Sequence, residues 1–239
     1  MLSFETSTEV FASSSDVVLL TTQVALADDV VKSLTKLGVR MTTRPTECTH
    51  LLAPHLVRTE KFLCALACAP YILNSKWATS SAAAKKLLRL YHSIFIVTRE
   101  LTKRKKFVVA AEKDFLLKDE AGEKKYGFKL AQALRRAKAN RGKLLEGKTF
   151  YVTPKVAVDK KLLKHVVNAC GGQVSTQSPS VRIISSNSDT RHVISCKEDI
   201  SIWRPIAAQG FKIYSQELLL NGVMKQEMEW DQEDYLVES

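Results

Sequence analysis

No stretch of this 239-residue chain is apolar for long enough to cross a bilayer. The run Ile94–Val97 is far too short, and basic residues flank it. The sequence lacks a CxxC pair, and its five cysteines (Cys48, Cys64, Cys68, Cys170 and Cys196) are an odd number. Cys64 and Cys68 stand one helical turn apart and are expected as small helix-packing residues, in a chain read as intracellular and free of disulfides. There is no Gly-rich phosphate loop of Walker or dinucleotide type, no GxSxG elbow and no paired Cys/His context. His55, His92 and His165 have no partners at metal spacing. These absences argue against an enzyme, and they imply no cofactor and no metal site. The first residues, Met1 to Asp16, are polar and acidic with no basic start, and do not read as a secretory signal.

What is present is a globular composition, 45% hydrophobic and 26% charged, long enough for about two domains. The formal net charge of +11 would suggest a nucleic-acid partner. It is unevenly spread, however. Arg89 to Ala111 carries Arg89, Arg99, Lys103, Arg104, Lys105 and Lys106 against Glu100 alone, whereas the closing stretch is acidic. On that count the overall basicity says little about the folded parts.

The periodicity predicts a short buried strand over Asp16–Thr21 and an amphipathic helix over Leu26–Leu37, closed by Gly38. Strands follow at Val39–Thr42 and Thr49–Ala53, then a helix over Thr59–Ala69 stopped by Pro70. Tyr71–Leu73 is a further strand, and Asn74 caps a helix carrying Trp77. The pattern then returns after about ninety residues. Lys148–Thr153 is a strand, Asp159–Cys170 a helix closed by Gly171-Gly172, and Arg191–Cys196 a strand that matches Cys48–Leu52. His50 and His192 occupy equivalent places, which reads as structure. Between the repeats, Tyr126–Lys138 reads as a linker helix with an apolar stripe of Phe128, Leu130, Ala131 and Leu134 and a basic outer face.

One stretch carries chemistry. In Arg58-Thr59-Glu60-Lys61 a hydroxyl and an ammonium stand two apart at the start of an apolar helix. A helix start offers unpaired N–H groups and a positive dipole end, so the combination suits an anion, best a phosphate. Arg58 adds a planar fork for a carboxylate or carbonyl. A capped helix with Lys61 in solvent is the plainer account of the same residues.

With both repeats in view, the chain resembles a tandem BRCT module, the paired phosphopeptide-binding domain of DNA-damage mediator and scaffold proteins, over about residues 16–88 and 112–228. The residues that carry the resemblance are Val18-Leu19-Leu20-Thr21-Thr22, Thr49-His50-Leu51-Leu52, Arg58-Thr59-x-Lys61-Phe62-Leu63-Cys64-Ala65-Leu66 and Trp77. Tyr126-Gly127-Phe128-x-Leu130, Gly171-Gly172 and Leu219-x-Asn221-Gly222-Val223 complete the set. The resemblance is greatest to C-terminal pairs that read the damage-phosphorylated histone tail, among them fungal multi-BRCT scaffolds acting at stressed replication forks.

The resemblance implies an α/β fold of two repeats, each a small four-stranded parallel sheet flanked by three helices, packed through a linker helix. It divides the chain into a flexible start (1–15), repeat one (16–88), a basic insertion (89–111), a linker with its helix (112–147), repeat two (148–228) and an acidic tail (229–239). The insertion reads either as a basic loop or as a translated non-coding segment. The implied phosphate ligands are the Thr21 hydroxyl, the backbone N–H of Thr22 (where many members have Gly), Lys61, and Thr59 in support. Arg58, oriented by Glu217, would read the residue three after the phosphate, which in histone readers ends in a free carboxylate. Repeat two has Leu218 where many repeats carry Trp; it also lacks a Thr-x-Lys in its second helix, so it should bind no phosphate of its own. The implied partner is a phosphorylated protein tail, met in the nucleus, with no membrane or direct DNA contact. The competing readings are a nucleic-acid binder, from the net charge and the basic linker face, and a phosphate-independent interaction surface.

Overall fold

The structure is a computed structural model that describes residues 17–69, 71–88 and 115–237. The expected flexible start and the basic insertion lie outside the described residues. Repeat one runs β1 (Val18–Thr21), α1 (Asp28–Lys36), β2 (Arg40–Met41), β3 (His50–Leu52), α2 (Glu60–Cys68), β4 (Tyr71–Leu73) and α3 (Lys76–Ala83). Two linker helices follow, α4 (Glu120–Tyr126) and α5 (Leu130–Asn140). Repeat two runs β5 (Thr149–Val152), α6 (Lys160–Ala169), β6 (Gln173–Ser175), α7 (Val181–Ser185), β7 (Arg191–Ile194), α8 (Ile200–Ala207), β8 (Ile213–Tyr214) and α9 (Gln216–Lys225). The sheets are ordered β2-β1-β3-β4 and β6-β5-β7-β8, and every pairing within them is parallel.

The inner strands β1, β3, β5 and β7 are short runs with buried apolar centres because helices cover both faces of each sheet. Leu19 and Leu51 are fully buried at the centre of the first sheet and Ile72 on its end strand β4, as Phe150 and Ile194 are at the centre of the second. Register makes the repeats superposable in sequence. Leu19 pairs with His50 and Thr21 with Leu52; Phe150 pairs with His192 and Val152 with Ile194. Thr22 therefore corresponds to Thr153, and His50 to His192.

The fourth strand of each sheet has an antiparallel neighbour. Leu116 bridges to Leu73, and Leu236 to Tyr214. The acidic closing stretch is thus folded rather than trailing, at least as far as Val237. Tyr235 is buried, the Trp230 ring lies 4.3 Å from the His192 ring, and Val237 N–H donates to the Ile213 carbonyl at 2.9 Å. These bridges cover the β4 and β8 edges of the two sheets.

The linker differs from its sequence reading. Tyr126 ends α4 instead of opening a helix, and Gly127, at φ +65°, turns the chain before α5. Glycine is required there because a side chain at that φ would be strained. The buried face of α5 consists of Leu130, Ala133 and Ala137, with Ala131 exposed. Repeat two also has the short α7, one helix more than the three expected. A second difference concerns charge. Glu5, Glu9, Asp16 and Glu238, with the acids among residues 100–114, cancel the basic residues outside the described parts, so the described residues carry the whole net charge of +11.

The largest apolar cluster crosses between the repeats. It joins Phe62, Leu63 and Leu66 of α2 to Leu130 and Ala133 of α5, Leu163, Val166 and Val167 of α6, and Leu219 and Val223 of α9. Each fully buried side chain of this size contributes about 1.5–3 kcal/mol relative to exposure. A fragment ending at residue 125 would leave the seam face of α2 bare. It should aggregate or unfold at lower temperature than the whole chain, and a monomeric, cooperatively folded fragment in sedimentation and calorimetry would contradict a packed pair.

The paired histidines give a second expectation. His50 is stacked between Tyr71 (4.8 Å) and Trp77 (5.3 Å), with Nδ1 2.8 Å from the Thr49 hydroxyl. Burial pushes its imidazole down from 6.5 to about 4. Burial, with Lys148 nearby, does the same to His192. Both are neutral in the folded state. As pH falls from 6.5 through 4, the unfolded chain takes up protons that the folded chain refuses, so stability is lost across that window. Thermal unfolding midpoints should drop over it, and a His50→Gln/His192→Gln variant should show a shallower slope.

Candidate functional site

A cleft of about 750 Å³ opens between the end of β1 (residues 21–25) and the first turn of α2 (residues 59–61). Thr59 is the N-cap of α2, and its hydroxyl oxygen accepts the Phe62 N–H at 3.3 Å. The hydroxyls of Thr22 and Thr59 lie 3.0 Å apart. Their mutual bond uses one of two protons, so one hydroxyl proton remains to be donated into the cleft. The N–H groups of Glu60 and Lys61 belong to the unpaired start of the helix. Among the described residues they make no hydrogen bond, and the Lys61 ammonium makes no ion pair. Hydroxyl, amides, dipole end and cation thus converge where an anion would find several donors and no competing carboxylate bond to Lys61.

The structure corrects one expected ligand. The Thr22 N–H is not free: it donates to the Leu52 carbonyl at 3.0 Å, extending the sheet by one residue. The glycine-like backbone falls one position later, at Gln23, whose φ is +53°. Successive strand residues face opposite ways, so the hydroxyl directed at α2 is that of Thr22, while Thr21 lines the cleft from the neighbouring position. Repeat two repeats the backbone part of this geometry: Thr153 N–H donates to the Ile194 carbonyl at 3.0 Å, while its hydroxyl lies 2.8 Å from that of Ser195, the residue just after β7. There the likeness ends. Asp199, buried, precedes α8 where Thr59 precedes α2, its carboxylate taking the Lys155 N–H at 2.7 Å, and no lysine stands in the first turn of α8. A buried carboxylate at that place opposes an anion.

A second cleft of about 540 Å³ shares Gln23 and Thr59 with the first. Arg58 lines it. Nη1 donates to Glu217 Oε2 at 2.8 Å, and Nη2 donates to Asn221 Oδ1. The guanidinium carbon sits 4.8 Å from the centre of the Tyr126 ring. The Arg58–Glu217 contact across the seam is therefore present, while Arg58 Nε is buried without a partner among the described residues. Asn221 and Tyr126 were not expected here. Asn221 follows Glu217 by one helical turn, a spacing that could have revealed it.

Asp119 forms the wall opposite. Its carboxylate accepts the N–H of Leu56 at 2.8 Å and of Gly122 at 2.9 Å, tying the loop before α2 to α4. Burial raises its affinity for a proton, but the two N–H bonds and His55 outweigh it and hold the carboxyl below the usual range. A Cβ on Gly122 would collide with the Asp119 carboxylate, so this close approach requires glycine. The cysteines take no part. All five are free, and burial pushes the Cys48, Cys64 and Cys170 thiols up to about 12, which leaves them unreactive.

Comparison with known proteins agrees with this architecture. A BRCT domain model matches residues 143–236, and the model of the Regulator of Ty1 transposition protein 107 BRCT domain matches residues 5–109. PAX-interacting protein 1 of Bos taurus is 29% identical over 206 residues, covering 84% of this chain and 18% of that protein. The chain thus spans under a fifth of that relative's length. The S. pombe Brc1 BRCT5-BRCT6 crystal structure aligns with a TM-score of 0.73 at 26% identity, over 90% of this chain and 94% of that one. Rtt107p, in a complex with a phosphorylated histone, aligns with a TM-score of 0.58 at 12% identity, over 93% of this chain and 92% of that one. With one family model on each half and a solved BRCT pair matching the whole, this chain belongs to the BRCT family as a tandem pair.

Proposed function

We propose that this chain is a phosphopeptide-binding module that docks a DNA-repair or checkpoint scaffold onto phosphorylated Ser-Gln motifs, with no catalytic role. The observation that carries the reading is the convergence of the Lys61 ammonium, the unpaired first turn of α2 and the spare hydroxyl proton of the Thr22–Thr59 pair in one cleft. Thr21, Lys61, Thr22 and Thr59 form the phosphate subsite. Arg58, held by Glu217, forms the subsite three residues on. Because the clefts share Gln23 and Thr59, one extended peptide reaches both, and three residues span about 10 Å at most. A planar fork suits a carboxylate, so the favoured ligand is a tail with a phosphorylated Ser-Gln, an acidic residue and a hydrophobic residue ending in a free carboxylate, as in the damage-phosphorylated histone. The Rtt107p complex with a phosphorylated histone is consistent with this, although at 12% identity that likeness speaks for the fold, and the ligand is argued from the residues. Work at damaged or stressed chromatin implies a nuclear protein.

Calorimetry with matched peptides tests the reading. Charge-assisted bonds of about 1.5–3 kcal/mol each should make the phosphorylated peptide bind more than tenfold tighter than its plain twin, with Kd on the order of micromolar. Lys61→Met should remove most of that difference. Amidating the C-terminus should weaken binding to the parent but add little to Arg58→Ala, since both changes remove one contact. Equal affinity for phosphorylated and plain peptide would overturn the proposal.

The +11 charge of the described residues favours a second reading, contact with nucleic acid. It differs in salt response. Backbone-phosphate binding weakens steeply with log salt, whereas one dianion in a cleft gives a shallow slope.

A further inference from the structure

Among the described residues lining the anion cleft there is one acid, Glu60. It occupies the first position of α2, next to Lys61, where a carboxylate competes for the same N–H groups and dipole end that a phosphate would use. That carboxylate is engaged elsewhere: its Oε1 lies 2.7 Å from Nδ1 of His165. His165 belongs to α6, in the other repeat, so the contact crosses the seam, and both side chains remain about 40% exposed (42% and 41%). The other charged groups on the helices here are Lys61 of α2, Lys160, Lys161 and Lys164 of α6, whose N-cap Asp159 accepts the Lys161 N–H, and on α9 Glu217, held by Arg58, and Lys225, paired with Glu229. The thiols on α2 are Cys64 and Cys68, both un-ionised, and β6 carries no charge. The first turn of α6 contains no acid to divert the imidazole from Glu60.

We propose that His165 is a positioning residue for the site of the opposite repeat: by holding Glu60 toward the seam, it keeps the cleft's one acid off a bound phosphate. The proposal rests on the phosphopeptide reading above. It gives repeat two a role in phosphate discrimination that is separate from the Arg58 subsite. A carboxylate released beside a dianion on a solvated surface should weaken binding by several-fold to about tenfold.

The test uses the full chain and two synthetic peptides, one with a single phosphoserine and one unmodified, measured by calorimetry. The readout is the ratio of their affinities, which a partial loss of folded protein does not change. His165→Ala should lower the ratio by about fivefold by weakening the phosphorylated peptide alone. His165→Arg, which also presents an N–H donor to Glu60, should restore it. In a Glu60→Gln background, where there is no charge to restrain, His165→Ala should leave the ratio where Glu60→Gln alone puts it. An unchanged ratio in His165→Ala, or the same loss with and without Glu60→Gln, would overturn the positioning role. If the parent itself fails to discriminate, the phosphopeptide reading falls; if the parent discriminates and the His165 variants match it, this inference falls alone.

Discussion

Every residue of α2 from Phe62 to Ala67 is buried. A helix can be apolar on all sides only if neighbours enclose it, and one small sheet covers a single side. The remaining faces of α2 are closed by α5, α6 and α9, the linker and the second repeat. This enclosure makes two repeats one body. It also leaves the first turn as the polar part of the helix, opening on the cleft. The site is where it is because the rest of α2 had to be hidden.

The polar contacts across the seam follow from that packing. Arg58 lies just before α2, and the close approach of α9 brings Glu217 and Asn221 to its fork. Glu60 lies in the first turn, and the close approach of α6 brings His165 to it. These pairs are partly solvated, so each contributes modestly to stability. Their consequence is orientation: one fixes a cation toward the second cleft, and the other occupies an acid beside the first. Lys61, with no carboxylate partner among the described residues, is left available.

The two repeats use one backbone plan for different ends. Thr22 and Thr153 extend their first strands with the same hydrogen bond, and His50 and His192 are neutral and largely enclosed at the same register. What differs is the entrance to the following helix: Thr59, Glu60 and Lys61 in one, Asp199, Ile200 and Ser201 in the other. The first entrance offers a hydroxyl and a cation to an anion; the second presents a buried carboxylate, which opposes one. Repeat two supplies its packing faces and the side chains of His165, Glu217 and Asn221, which meet Glu60 and Arg58.

The amino-acid sequence by itself determined the strands, the helices and their twofold recurrence, because the apolar runs and periodic stripes are local and strong. Arg58, Thr59 and Lys61 were legible for the same reason, since they stand close together at a single helix start. The Thr21–Thr22 doublet was not, since two identical neighbours carry no mark of which faces the helix; the contact between the Thr22 and Thr59 hydroxyls decided it. The break at Gly127 was hidden because Phe128 and Leu130 continue an apolar spacing across it, while the positive φ is a property of the chain turning to meet α2. Nor could spacing bring His165 to Glu60, residues separated by more than a hundred positions. Local chemistry sets which segments fold and which side chains they offer; which of those side chains meet depends on how α2 is enclosed, and only the tertiary packing decided that.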